Sequence, residues 1–232
     1  MAASNSGTMI TFAANGDNAP GYLVQPEGDG PFPAVVVIQE WWGLDDHIKD
    51  VAERFAAEGY VALAPDLYRG EVALEPDDAR RLAMELELDQ ALIDIQGAVN
   101  YLIAQPQVEP KQAGVVGFCM GGRLTMMMSY RGQNVGAAVV FYGGGVQPSD
   151  EDLKAISAPL LGIYGEADQG IPVDLIQAWD TKLDEFGKEH EIIIYPDAPH
   201  AFFNNERPSF RANESADAWT HTLEWLNKHL QG

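Results

Sequence analysis

The chain has 232 residues, 46% of them hydrophobic, enough for a sizeable core in one α/β domain or two small ones. Its 35 acidic against 14 basic residues give a net charge of −21, a surface that repels nucleic acid, with no basic run to offset it. The longest apolar runs, such as 34–38, fall far short of the ~20 residues of a membrane helix, and a single cysteine allows no internal disulfide and suits a reducing cytoplasm.

Residues 1–8 lack the basic and apolar regions of a secretory signal and read as a short disordered lead, with 9–232 as one domain. Residues 9–14 and 21–25 read as strands joined through Asn15, Gly16, Asp17 and Asn18, turn residues that suit a hairpin. The β-branched run 33–39 reads as a strand buried on both faces. Asp46 is placed to cap a helix over 47–58, with Ile48, Val51, Ala52, Phe55 and Ala56 on one face and Gly59 as its stop. Strand 61–64 ends at Pro65 and Asp66. A helical region rich in Ala, Leu, Glu and Met opens at Glu75 and Pro76, and 89–104 continues as an amphipathic helix. Strands follow at 113–118, 136–142, 159–164 and 191–195, with helices at 173–186 and 214–230. After the opening hairpin, strand and helix alternate without an internal repeat or a long linker. That rhythm predicts an α/β fold, a mostly parallel central sheet with helices on both faces and functional loops at the carboxyl ends of its strands.

Strand 113–118 ends in Gly117-Phe118-Cys119-Met120-Gly121 and passes straight into a helix-forming segment. This is the pattern of a nucleophile elbow with cysteine in the usual place of serine. Such a turn crowds its own backbone, hence the glycines, and leaves the Met120 N–H at a helix N-terminus, where an anionic oxygen can be held. A lone cysteine here also fits plain packing, but the residues downstream weigh against that reading. Asp168 and His200 come after the next strands, in the order nucleophile, acid, histidine, and Glu40 ends strand 33–39. A thiolate attacks a carbonyl carbon, an imidazole shuttles protons, and a carboxylate fixes the imidazole tautomer. Asp168 is preferred to Asp197, which stands three residues before His200 and suits the turn at Pro196. The other histidines, His47, His190, His221 and His229, lie on or beside helices and strands. No metal-ligand spacing and no phosphate loop is present, so no cofactor is expected. Trp41 and Trp42 suit a pocket wall, and Met126, Met127 and Met128 suit a core.

With these residues in place the chain resembles the dienelactone hydrolase family, of the α/β-hydrolase fold. The likeness runs over nearly its whole length. Its carriers are the segments 39–44 (Gln-Glu-Trp-Trp-Gly-Leu), 64–68 (Ala-Pro-Asp-Leu-Tyr), 117–122 (Gly-Phe-Cys-Met-Gly-Gly), 165–168 (Gly-Glu-Ala-Asp) and 200–202 (His-Ala-Phe). The resemblance implies a Cys119–His200–Asp168 triad acting through an acyl-enzyme, with Glu40 holding the resting thiol until substrate displaces it. It also implies an oxyanion hole from the backbone N–H groups of Met120 and Trp41. Family members hold a substrate carboxylate with two arginines. Here the first is Arg80 or Arg81, while Asn204 stands four residues after His200 and Arg207 is the nearest arginine. Trp42, Tyr142 and Phe202 complete the expected substrate-binding residues. The expectation is a cytoplasmic hydrolase of small lactones or carboxylic esters, monomer or homodimer. A thioesterase or general esterase on the same fold and a non-catalytic ligand-binding relative are the alternatives.

Overall fold

The computed structural model describes residues 6–14, 16–145 and 147–231. Residues 1–5 of the expected lead and Asn15 of the expected turn lie outside the described residues. Strand β1 (Thr8–Ala14) takes in Thr8, the last residue of that lead, and pairs antiparallel with β2 (Asp17–Val24), from Thr8 opposite Leu23 to Ala14 opposite Asp17. β2 pairs antiparallel with β4 (Val61–Pro65), and every pairing beyond is parallel. The sheet runs on through β3 (Phe32–Ile38), β5 (Val108–Phe118), β6 (Val135–Phe141), β7 (Leu160–Gly165) and β8 (His190–Tyr195). Its order is β1-β2-β4-β3-β5-β6-β7-β8. This is the expected α/β-hydrolase arrangement. From β3 the chain moves outward to β4 and then returns to lay β5 on the other flank of β3, so the order reverses between β3 and β5. A crevice opens at such a reversal, outside the carboxyl ends of the strands.

The central strands are buried on both faces, and period-2 alternation sorts their side chains. Val35 and Val37 pack with Ile48, Val51 and Phe55 of α1 (Asp46–Ala57) and with Leu226 of α7 (Ala212–Leu230). Ala34, Val36 and Ile38 pack on the opposite face, against Ile95 and Val99 of α3 (Leu88–Ile103) and Leu124 of α4 (Met120–Arg131). Each fully buried valine of this kind contributes about 1.5–3 kcal/mol of transfer free energy.

Three local expectations need correction. The cap of α1 is Asp45, whose extended backbone lets its carboxylate accept the Ile48 N–H at 3.1 Å, whereas Asp46 is already in the first turn. The helical region from Glu75 is two helices, α2 (Pro76–Glu85) and α3, broken where Leu86 and Glu87 turn extended. A short helix, α5 (Asp150–Ala155), was not anticipated. Its signal is the capping box in which the Ser149 hydroxyl accepts the Asp152 N–H and the Asp152 carboxylate accepts the Ser149 N–H. The remaining helix, α6 (Val173–Glu185), lies between β7 and β8. Among the described residues no helix is long and apolar enough to cross a membrane.

Candidate active site

The elbow owes its form to two close approaches. A β-carbon on Gly117 would stand 2.2 Å from the Gly121 carbonyl oxygen, and one on Gly121 would stand 2.5 Å from the carbonyl oxygens of Ile38 and Gln39. No side chain fits at either place, so α4 starts directly against the end of β3. Cys119, between them, is held at φ 54° and ψ −114°, a backbone that non-glycine residues rarely adopt and that structures retain mainly where a side chain must be presented. The Met120 N–H opens α4 and has no acceptor within the helix. The close contact with Ile38 and Gln39 brings the segment bearing Glu40 and Trp41 beside it.

His200 follows β8 and lies between an acid and the thiol. Its Nδ1 is 2.6 Å from Asp168 Oδ2, and the ring borders the same cavities as Cys119. The Asp168 side chain is buried, and its Oδ1 accepts the Gly170 N–H at 2.8 Å, so both carboxylate oxygens are engaged. Burial works against charge on the imidazole, but the influence of Asp168 and Cys119 outweighs it and pushes the pKa up to about 10. Asp197, the other acid considered, is exposed in the turn after β8, with a left-handed φ of 56° and its N–H donated to Glu166.

Glu40 is buried, with its carboxylate held by two donors. The Tyr142 hydroxyl donates to Oε1 at 3.2 Å and the Asn204 amide to Oε2 at 2.7 Å. Burial raises its pKa above the ordinary glutamate value, and the charge of His47 and the Asn204 bond offset part of that rise. The Glu40 carboxylate is therefore paired with Tyr142 and Asn204.

Two cavities meet at this centre, both bordered by Trp41, Cys119 and His200. The first, about 360 Å³, is walled by Trp42, Ala201 and Arg207, with the Arg207 guanidinium 3.7 Å above the Trp42 ring. The second, about 300 Å³, is walled by Tyr142, Ala83, Leu88 and Ile171 and carries Arg123.

Not every expected substrate-binding residue reaches them. Arg80 pairs with Asp77 at 3.6 Å and Arg81 with Glu85 at 2.9 Å and Glu71 at 3.4 Å, on the solvent side of α2. Neither borders either cavity, because helical spacing turns Ala83 rather than the arginines to the cleft. Phe202 is fully buried between the rings of Tyr142 and Tyr195, at 5.7 and 5.3 Å, and serves the core beneath the site. Trp42, Tyr142 and Arg207 do line the cleft. Sequence reasoning missed Asn204 as the partner of Glu40, and it missed Arg123, which stands in the first turn of α4 just after Cys119.

The family model described as the dienelactone hydrolase family matches residues 19–230. A Methylorubrum extorquens protein provisionally named a carboxymethylenebutenolidase is 35% identical over 223 residues, covering 90% of this chain and 77% of its own. An Escherichia coli protein with the same provisional name is 34% identical over 234 residues, covering 93% and 84%. A Klebsiella pneumoniae crystal structure, provisionally a dienelactone hydrolase, superposes with a TM-score of 0.86 at 31% identity, covering 94% of this chain and 97% of that one.

Proposed function

The chain belongs to the dienelactone hydrolase family, and on that premise we propose that it hydrolyses small lactones or carboxylic esters with Cys119 as nucleophile, His200 as proton shuttle and Asp168 as the acid that orients the imidazole. The observation that carries this reading is the 2.6 Å hydrogen bond between His200 Nδ1 and the buried Asp168, with His200 and Cys119 bordering one cleft at the β3/β5 reversal.

The thiol gives its proton to His200 Nε2 while Nδ1–H stays bonded to Asp168, and the thiolate attacks the carbonyl carbon. The N–H groups of Met120 and Trp41 receive the developing oxyanion. When the tetrahedral adduct collapses, the C–O bond breaks, and the leaving alkoxide takes the proton from His200. A thioester to Cys119 remains. Water then gives a proton to His200 and attacks that thioester, and the acid product leaves as the thiol recovers its proton. A reducing cytoplasm suits this chemistry, because oxidation of the single thiol would end it.

Glu40 controls the resting state of the thiol. The engaged arrangement has the carboxylate on Tyr142 and Asn204, so holding the thiol instead requires Glu40 to exchange those partners. A carboxylate brought against the thiol disfavours a second negative charge there and keeps it protonated.

The test is a panel of neutral lactones, aryl esters and thioesters, with iodoacetamide as inactivator. The reading expects turnover of lactones or oxygen esters and loss of activity in step with alkylation of the Cys119 peptide. Activity that survives complete alkylation would refute it, and turnover of thioesters alone would establish the thioesterase alternative.

A further inference from the structure

His47 is the one histidine among the described residues with no carboxylate at ion-pair distance. His190, His200, His221 and His229 each face one, at 3.1, 2.6, 3.6 and 3.6 Å. The His47 ring is buried in the first turn of α1, edge-to-face with Phe118 and Phe203 at 6.2 and 6.3 Å between centroids. Phe118 precedes Cys119 and Phe203 precedes Asn204, so the imidazole lies between the nucleophile's strand and the segment that holds Glu40. Its Nδ1 is 3.0 Å from the side-chain oxygen of Asn205, an acceptor, and so carries a proton, while Nε2 is buried with no hydrogen-bond partner. Two consecutive asparagines thus serve two groups, Asn204 donating to Glu40 and Asn205 accepting from His47. A second proton on Nε2 makes the ring a cation, which is costly in a buried place unless an opposite charge lies in range. Glu40 is such a charge, and His47 favours its ionised form more strongly than the Asn204 bond does. Around the pair stand Asp45, Asp46 and Arg54 on α1, Cys119 after β5, Tyr142 after β6, and His200, Glu206 and Arg207 after β8. Asp45, the nearest other acid, has its carboxylate engaged in capping α1.

We propose that His47 is a positioning residue of the hydrolase: its imidazolium, oriented by Asn205, holds Glu40 ionised and engaged with Tyr142 and Asn204, and so sets the pH range in which Glu40 acts on the Cys119 thiol. This rests on the reading of Glu40 given above. Part of the charge compensation that the neutral Asn204 cannot give comes, on this account, from α1. The sign is fixed by electrostatics. An opposite charge favours the ionised carboxylate, and without it Glu40 keeps its proton to higher pH.

The experiment is carbon-13 NMR of protein labelled at the glutamate carboxyl, with the Glu40 signal assigned by its loss in Glu40→Gln. In His47→Gln, which keeps a side-chain amide for Asn205 but no charge, the Glu40 midpoint rises by about 0.5–1 pH unit. Asn205→Ala, at an exposed position, leaves the ring unanchored and raises the midpoint by less. An unchanged or lower midpoint in His47→Gln overturns the proposal; if that variant does not fold, Asn205→Ala decides by the same criterion. Alkylation of the thiol by iodoacetamide, without substrate, gives the functional readout. The pH profile of His47→Gln moves from that of wild type towards that of Glu40→Gln, because a protonated Glu40 is as neutral as the glutamine, and the double variant matches Glu40→Gln. A double variant that shifts further shows His47 acting on the thiol by another route and overturns the proposal. If Glu40→Gln alone alkylates as the wild type does, the Glu40 reading fails and takes the proposal with it. An unmoved midpoint beside an altered Glu40→Gln profile strikes His47 alone. Neither measurement uses an ester, so failure of the hydrolase reading shows separately in the substrate panel.

Discussion

The Asn204 amide donates a 2.7 Å hydrogen bond to Glu40 Oε2, at the position four residues after His200 where the family pattern expects an arginine. A neutral donor therefore stands where a cation would have formed an ion pair. It satisfies the carboxylate oxygen but leaves most of the cost of burying its charge in place, in agreement with the raised pKa of Glu40.

A raised carboxylate pKa means that the folded protein takes up a proton relative to the unfolded chain. Stability is thus lost as pH rises above the ordinary glutamate value of 4.5. Glu40→Gln removes that loss. Its melting temperature, taken as a difference from wild type, should increase from pH 4.5 to pH 8, and a pH-independent difference would contradict the buried-charge account. If Glu40 also governs the thiol, the pH profile of iodoacetamide alkylation without substrate shifts in the same variant and turnover falls; overlapping profiles would remove Glu40 from the mechanism.

The acid of the triad is tested by two substitutions. Asp168→Asn breaks the bond that fixes the imidazole tautomer, and turnover should fall on the order of 10²–10⁴-fold, while Asp197→Asn in its exposed turn should stay near wild type. A larger loss at Asp197 would reverse the assignment.

The His200 pKa supplies a separate, signed expectation. Burial lowers it, and the neighbouring Asp168 and Cys119 raise it to about 10. The stabilisation carried by the protonated ring is complete below the ordinary histidine value of 6.5 and lost as pH rises through about 10. Asp168→Asn removes one of these influences, so the alkaline limb of the thiol-alkylation profile moves to lower pH. Because thiol and imidazole titrate together, that limb belongs to the pair. A limb that stays in place would show that Asp168 does not act on the ring.

The elbow's steric logic predicts that Gly121→Ala costs about 1–3 kcal/mol or more, since its new carbon would meet the Ile38 and Gln39 carbonyl oxygens at 2.5 Å. Urea unfolding measures the cost. Activity falls further than stability, because relieving the clash moves Met120 and Trp41 apart. A variant of wild-type stability would show that the elbow is looser than this geometry.

The sheet was readable because its signals are local and redundant. The β-branched run at Val35, Val36 and Val37 and the glycines around Cys119 each announce one backbone geometry. The proposed order of nucleophile, acid and histidine rests on the strand ends that the topology places at one edge. What stayed hidden depends on where side chains point across the fold. Arg80 and Arg81 could not be distinguished from cleft residues until α2 showed them paired with its own acids. Asn204 could not be matched to Glu40 across 164 residues of sequence. Arg123 was visible only as one more helical arginine until the fold placed it on the wall of the second cavity, beside Cys119 and Met120.

The central claim is that Cys119 performs the attack. Its most direct test is the kcat/KM of Cys119→Ala on the best neutral ester or lactone, with the fold checked by circular dichroism. The mechanism predicts a loss of at least about a thousandfold with an unchanged spectrum; a well-folded variant that hydrolyses the substrate at the wild-type rate would contradict it.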